Sequence, residues 1–259
     1  LGGSHTWGYG VNQETRYTDI IRQKLESNIY NFGHCSLGLD QIALSLISKC
    51  HDLQPDVVVI EQYPWALHRV MAHQVNGFVR PKFHIDQDGQ LQRTAIPKIA
   101  RYRAYRAVYK AYVSYRKQYF EYLEGINVEE NYDARIDPLY LKWKTGFYEP
   151  MYELTEAIIK VISDYCRETD VELLFVIGTV REKLLFESTS RLVDYDLPRK
   201  KLVRILQKLG INYLDSTEEM VKRQREGANL IFEDGHINAL GHLAFSDIIF
   251  AELEQLGMS

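Results

Sequence analysis

The sequence predicts an α/β protein in which helices cover both faces of a parallel β-sheet. Short β-type runs alternate with helix-period stretches along most of the 259 residues, which is typical of parallel sheets. Two of the runs, residues 56–60 and 171–177, are almost continuously apolar and rich in branched side chains. Strands buried on both faces have this composition, so we expect these two runs to form the centre of the sheet.

Further strands and five helices follow from the same alternation. Residues 28–32 and 211–214 are the other two strand candidates. The opening Leu1-Gly2-Gly3-Ser4 looks like the end of a strand that enters a glycine-rich turn, so we expect most of a first strand at or before Leu1. The helix-period stretches are amphipathic enough to cover a sheet. They are residues 17–26, 39–51, 148–168, 197–209 and 240–256.

Residues 64–146 interrupt this alternation, and we interpret them as an insertion into a single domain that spans residues 1–259. Two arms of alternating residues around Asp88-Gly89 predict a β-hairpin over residues 83–93. A long helix is predicted over residues 99–124, where tyrosines recur at steps of three or four and therefore form one stripe. They are Tyr102, Tyr105, Tyr109, Tyr112, Tyr115, Tyr119 and Tyr122.

This predicted helix differs in charge from the rest of the chain. It carries six basic and two acidic residues, so the remainder is more acidic than the net charge of −4 indicates. A basic, Tyr-rich face suits an acidic partner, packing within the insertion, or contact with a second copy of the chain. We expect this helix to be able to form the interface of a homodimer.

Composition excludes several classes of protein. The hydrophobic fraction of 46% and the charged fraction of 25% are those of an ordinary globular domain, and no apolar run is long enough to span a membrane. Three cysteines without a CxxC pair argue against a disulfide framework or a zinc ribbon. The chain is acidic outside residues 99–124 and has no nucleic-acid-binding motif, so no nucleic-acid partner is expected.

The N-terminal residues and the cysteines give the available information on the cellular compartment. The chain begins with neither Met nor a signal peptide, so we expect that the native protein has a segment upstream of Leu1. Reduced thiols are the simplest interpretation of the three cysteines and favour the cytoplasm, while the compartment stays open.

The N-terminal turn contains the first candidate catalytic residue, Ser4. Its hydroxyl follows two glycines at a tight bend after a predicted strand. Such a bend exposes a nucleophilic serine at the carboxyl edge of a parallel sheet, where open α/β folds place their sites. A phosphate-binding loop is the competing interpretation, but no lysine follows the glycines and GxGxxG is absent. A turn without any chemistry is the other alternative.

The loop before the last predicted helix contains the second candidate, His236, which follows Glu233 and Asp234 by three and two residues. A serine nucleophile needs a base to take its proton, and the base needs an acid that fixes its tautomer. Metal binding is disfavoured, since His236 and His242 are six residues apart and no HExxH motif supports them. An isolated Asp-Gly-His is otherwise typical of a structural turn.

Together, these two segments resemble the SGNH, or GDSL-type, hydrolase family. The first block of that family runs Gly-Asp-Ser-x-Thr-x-Gly, and its last block carries the catalytic acid and histidine just before the final helix. Residues 31–41 are similar to its second block and residues 55–60 to its third strand. The resemblance covers residues 1–62 and 171–256. It implies a three-layer α/β/α, flavodoxin-like fold with a five-stranded parallel sheet.

The resemblance also implies roles for four side chains. Ser4 is expected to be the nucleophile and His236 the general base. The orienting acid is Asp234 or Glu233, and we favour Asp234.

The oxyanion donors that the resemblance implies are the backbone N–H groups of Ser4 and Ser36. Three positions depart from the family pattern: Gly3 replaces Asp, Ser36 replaces Gly, and the third-block Asn is missing from residues 61–66. Gln62 is a candidate substitute for the missing amide, and a structural role for it is equally compatible with the sequence.

The function implied is that of a serine-dependent ester hydrolase or O-acyltransferase that works through an acyl-enzyme on Ser4. The expected substrate is a small-molecule or carbohydrate ester, with an acetyl group on a carbohydrate or polyol as the leading candidate. Neither a cofactor nor a metal is expected. Because three positions depart from the family pattern, the alternative is a catalytically degenerate scaffold protein that binds through the basic, Tyr-rich helix.

Overall fold

A computed structural model describes residues 1–72, 74–75, 78–94, 149–179, 184 and 196–257. The predicted Tyr-rich helix at residues 99–124 lies outside the described residues. The single-domain assignment and the limits of the insertion therefore stay predictions.

Seven helices and seven strands are found in the described residues. The helices are α1 (Ser4–Trp7), α2 (Tyr17–Leu25), α3 (Leu39–Leu53), α4 (Glu149–Glu168), α5 (Leu197–Leu209), α6 (Thr217–Arg225) and α7 (Ala239–Gln255), with 3-10 turns at Gln13–Thr15 and Pro64–Met71. The strands are β1 (Val57–Gln62), β2 (Gln74–Val75), β3 (Phe78–Val79), β4 (Lys82–Ile85), β5 (Leu91–Thr94), β6 (Glu172–Ile177) and β7 (Tyr213–Asp215).

The five predicted helices are confirmed within two residues at each end. Helix α6 was not predicted, because its nine residues contain only two apolar side chains that are buried, Met220 and Val221. Two apolar positions are too few to produce a helical period. Among the described helices, none has the combination of length and apolar character that a membrane crossing requires.

A parallel sheet of three regular strands forms the middle layer. Strand β6 lies between β1 and β7, and its register with β1 runs from Val57 opposite Glu172 to Gln62 opposite Ile177. Alternate side chains face opposite sides: Val58 and Phe175 pack with α3, α4 and α5, whereas Leu174 and Val176 pack with α2, α6 and α7. Both faces are therefore covered, and the predicted α/β/α layering is confirmed.

Five regular strands are not confirmed, and residues 28–32 do not form the predicted strand. The chain at Leu1 and Gly2 extends the sheet beside β1, since Glu61 N donates to Leu1 O at 2.9 Å. Beyond it, the described residues form a single bridge, from Gly2 to Gly33. The reason is Asn31: its Nδ2 donates to Thr6 O at 2.6 Å and its Oδ1 accepts from Gly33 N at 2.7 Å. These bonds replace those of a strand ladder.

Residues 82–94 form the β-hairpin that the Asp-Gly signal predicts. Strands β4 and β5 are antiparallel, with Phe83 opposite Arg93 and Ile85 opposite Leu91. In the turn, Asp86 Oδ1 accepts from Gln90 N at 2.8 Å, and Gly89 adopts a φ of 75°. This left-handed conformation suits glycine, which explains the Asp-Gly signal in the sequence.

Candidate active site

Helix α1 holds Ser4 at the carboxyl edge of the sheet. It is a single turn, closed by Trp7 N donating to Gly3 O at 3.0 Å and ended by Gly8 at a φ of 85°. Gly33 lies directly under this turn, and a Cβ atom on Gly33 would fall 2.4 Å from Trp7 N. The second candidate block therefore packs against the first so closely that only glycine fits.

A buried carboxylate, Glu61, supports the same turn from below. Its side chain is 1% exposed, and Oε2 accepts a hydrogen bond from the Thr6 hydroxyl at 3.1 Å. The Tyr17 hydroxyl contacts Thr6 Oγ1 at 2.9 Å in turn. His5 Nδ1 lies 3.7 Å from Oε1, which is an ion-pair distance and too long for a hydrogen bond.

The ionisation of Glu61 follows from these contacts. Burial raises the pKa of this carboxyl, but His5, the Thr6 hydroxyl and the Gly3 N–H outweigh burial, and the net direction is downward. Glu61 is therefore a buried anion under the serine turn. Sequence analysis did not single it out, although a carboxylate at the end of an apolar strand was a visible signal.

The loop between α6 and α7 holds His236 and Asp234. Ile231 and Ile237 form an antiparallel bridge, and Phe232 N donates to His236 O at 2.8 Å, so the loop closes on itself. Asn238 then caps α7, its Oδ1 accepting from Gly241 N at 3.0 Å. This cap fixes the point at which the loop returns to the helix.

Ser4, His236 and Asp234 are in contact, although Ser4 and His236 are 232 residues apart. His236 Nε2 lies 2.9 Å from Ser4 Oγ. On the other side of the ring, Nδ1 lies 3.0 Å from Asp234 Oδ2, an ion-pair contact without the alignment of a hydrogen bond. Asp234 Oδ1 accepts from the backbone N–H of His236 at 3.0 Å. Glu233 is exposed, and the carboxylate that reaches the imidazole is that of Asp234.

The surroundings of His236 favour its neutral form. Burial lowers the pKa of the imidazole, and the neighbouring His5 lowers it further, while Asp234 acts in the opposite direction; the net direction is downward. A neutral imidazole with a proton on Nδ1 presents a free electron pair at Nε2, towards Ser4. This is the state in which a histidine accepts a proton.

Aromatic side chains surround the His236 ring. The Tyr9 ring lies 4.4 Å from it, centroid to centroid, and the His5 ring lies 5.5 Å from it on edge. Tyr9, Trp7 and Phe232 are exposed apolar side chains on the two loops that carry Ser4 and His236. The two loops that carry Ser4 and His236 therefore present exposed aromatic side chains to solvent.

The remaining predicted oxyanion residues are Ser36 and Gln62. Ser36 adopts a φ of 68°, the left-handed conformation that glycine favours, so the backbone at this position is shaped as a glycine would shape it. Gln62 is buried, and its Nε2 donates to the carbonyl of Tyr63 at 2.8 Å. One of its two amide hydrogens is therefore already engaged.

Arg69 is a further residue at the site that sequence analysis missed. It lies in the 3-10 turn Pro64–Met71, directly after β1. Its Nη1 donates to Leu37 O at 3.0 Å. The sequence does not indicate that an arginine seven residues beyond a strand contacts the site, because this contact depends on how the turn folds back.

The described part of the chain contains no group of three or more His, Cys, Asp or Glu side chains placed to hold a metal ion. The contacts of the site are therefore those of a serine, a histidine and a carboxylate, with a buried anion below and an arginine beside them.

Solved structures with the same architecture were found by structural comparison. The acetyl xylan esterase AlAXEase superimposes with a TM-score of 0.55 at 12% identity, over 98% of this chain and 97% of that one. A G-D-S-L family lipolytic protein from Veillonella parvula gives 0.52 at 10%, over 96% and 93%. A catalytic mutant of Axe2, an acetylxylan esterase from Geobacillus stearothermophilus, gives 0.51 at 10%, over 97% and 91%.

Sequence comparison adds nothing to this result, since neither a family model nor a curated protein matches the chain. The resemblance noted in the sequence is confirmed at the level of the fold. This chain has the α/β/α fold of G-D-S-L lipolytic proteins and acetyl xylan esterases.

Proposed function

We propose that this protein is an SGNH-type serine esterase that acts on O-acyl esters through an acyl-enzyme on Ser4. The observation that carries the proposal is the chain of contacts from Ser4 Oγ to His236 Nε2 and from His236 Nδ1 to Asp234, at 2.9 and 3.0 Å. Three side chains from opposite ends of the sequence meet in the order of a nucleophile, a base and an orienting acid. A scaffold protein would not need this arrangement.

In the proposed reaction, Ser4 Oγ attacks the ester carbonyl carbon while its proton passes to His236 Nε2, and the carbonyl π electrons move onto oxygen. Collapse of this adduct re-forms the carbonyl and breaks the bond to the alcohol oxygen, which leaves with the proton from His236. The acyl group stays on Ser4 as an ester. Water or an acceptor hydroxyl then repeats the sequence, releasing the acid or a new ester and restoring Ser4.

The proposed substrate is an O-acetyl group on a carbohydrate or a related polyol. Tyr9 lies against His236, Trp7 and Phe232 are exposed on the same two loops, and such rings suit stacking on the apolar face of a sugar. Two of the solved structures with this fold are acetyl xylan esterases by name, which agrees with this choice. Transfer to an acceptor hydroxyl instead of water uses the same acyl-enzyme.

The test combines covalent labelling with turnover. We expect a fluorophosphonate to modify Ser4 in the wild-type protein, and acetate to be released from p-nitrophenyl acetate and from acetylated xylo-oligosaccharides. Ser4→Ala and His236→Ala should each lower kcat by at least about 10³-fold, because the residues act as a unit. Ser48→Ala, an exposed serine on α3, is the matched control and should behave as the wild type.

Labelling at another residue, or acetate release that persists in Ser4→Ala, would overturn the proposal. Turnover of p-nitrophenyl acetate without any release from acetylated sugars would contradict the substrate class and leave the nucleophile in place.

A further inference from the structure

The side chain of Arg69 passes between the two loops that carry the candidate backbone donors of the oxyanion site. At one end, a Cβ atom on Gly38 would lie 3.0 Å from the Cβ of Arg69. At the other end, Nη1 donates to the carbonyl of Leu37, the residue after Ser36. The same Nη1 would be the atom nearest to a Cβ on Gly3, at 4.0 Å. Nη1 therefore lies next to Gly3, the residue before Ser4, and next to Leu37, the residue after Ser36.

In the part of the chain that the structure describes, no carboxylate lies within ion-pair distance of Arg69. The Leu37 carbonyl occupies one of the five N–H donors of a guanidinium. Glycine at position 3 is part of the reason, because a carboxylate there would stand next to Nη1. Glu61 is buried under the same turn and acts on Arg69 only through its charge.

The charge of Arg69 also acts on His236. It lowers the pKa of His236, in the same direction as burial and His5. Arg69 is mostly buried but keeps part of its surface exposed. A cation in this position favours any negative charge that develops next to Ser4.

We infer that Arg69 is a catalytic residue that donates a hydrogen bond from its guanidinium to the oxyanion formed when Ser4 attacks the ester. This inference rests on the proposed function. It accounts for a site in which Gln62 has one amide hydrogen engaged with Tyr63 and residues 61–66 contain no asparagine. The third donor then comes from the turn after β1 as a cation instead of an amide.

The test compares an oxo ester with the thiono ester of the same neutral acyl group. Sulfur accepts hydrogen bonds weakly, so an enzyme that binds the oxyanion by hydrogen bonds prefers the oxo ester. We expect Arg69→Gln to lower kcat by about 10²- to 10³-fold with little change in KM, and to reduce the oxo-to-thiono ratio of kcat/KM. Arg69→Lys should restore part of both. Arg167→Gln, an exposed arginine on α4, is the control.

Three results would overturn the inference. An unchanged oxo-to-thiono ratio in Arg69→Gln means that Arg69 only holds the Leu37 loop. A loss confined to KM, and to esters with a negatively charged acyl or alcohol group, means that Arg69 binds substrate anions. A wild-type protein that is neither labelled at Ser4 nor active on the oxo ester would overturn the proposed function and this inference together, whereas the first two results leave the proposed function standing.

Discussion

The two segments that meet at the candidate site are built in different ways. The serine turn, residues 2–8, packs on the carboxylate of Glu61, whose side chain is 1% exposed. Thr6, within the turn, is also 1% exposed. The histidine loop, residues 232–238, reaches the site from the surface, and the side chain of Asp234 is 51% exposed. Ser4 therefore lies on a turn that is anchored in the core, while His236 and Asp234 lie on a loop that is partly exposed to solvent.

This difference predicts that the two carboxylates of the site affect different properties. Asp234 has water on one side, so its charge contributes little to folding. Glu61 is a buried anion that is stabilised by the Thr6 hydroxyl and the Gly3 N–H. Removing its charge therefore disturbs these interactions, which support the serine turn. Exchanging each carboxylate for its amide separates chemistry from stability.

The largest effect is expected for Asp234→Asn. We predict that kcat falls by about 10²- to 10⁴-fold, because Asn no longer selects the Nδ1–H tautomer of His236 or stabilises the imidazolium. The free energy of unfolding in urea should change by less than about 0.5 kcal/mol, as for other surface substitutions. Esterase kinetics and urea denaturation on the same preparation measure both.

Glu233→Gln is the control for this change. The two acidic residues are neighbours in one loop, and only Asp234 lies within ion-pair distance of the ring. Glu233→Gln should therefore keep kcat close to the wild-type value. A loss of activity in Glu233→Gln that equals the loss in Asp234→Asn would contradict this assignment of the acid.

An intermediate effect is expected for Glu61→Gln, and mainly on stability. We predict a decrease of about 3 kcal/mol in the free energy of unfolding, since an amide turns N–H donors towards groups that themselves donate. Thr6→Val removes one of these bonds and should cost about 1 kcal/mol. Unchanged stability in Glu61→Gln would show that the serine turn does not depend on this buried anion.

The smallest effect is a displacement of the pH profile. His236 must be neutral to accept a proton, so kcat/KM should rise with pH through the pKa of His236, at a midpoint below the ordinary value of 6.5. The charged or titratable groups that act on this ring are His5, Asp234 and Arg69. Because Asp234 raises the pKa, the residual activity of Asp234→Asn should have its midpoint at still lower pH. A midpoint that moves upward would contradict the assigned contact.

The sequence predicted the covering helices and the central strands well, because burial on one or two faces imposes a period on the apolar residues. It failed at residues 28–32, where the period was that of a strand but the side chain of Asn31 satisfies the backbone instead. It also missed α6, whose contact with the core involves few apolar side chains.

For the site, residue type and chain order identified Ser4 and the acid–histidine loop. Neither residue type nor chain order indicated Glu61 or Arg69. Glu61 matters because the serine turn packs on the end of β1, and Arg69 matters because the turn after β1 lies beside that serine turn. A lone carboxylate in a strand and a lone arginine in a turn are ambiguous until their neighbours are known.

Apolar periodicity by itself determined the α/β/α class, and the glycine-rich turn and the Asp-Gly-His loop determined which residues were candidates for chemistry. Only the tertiary structure decided that Ser4 and His236 lie 2.9 Å apart and that Asp234, not Glu233, reaches the imidazole. The physical reason is range: periodicity and turn propensity act over a few residues, whereas a hydrogen bond between residues 232 positions apart exists only after the sheet has brought both ends of the chain to one edge.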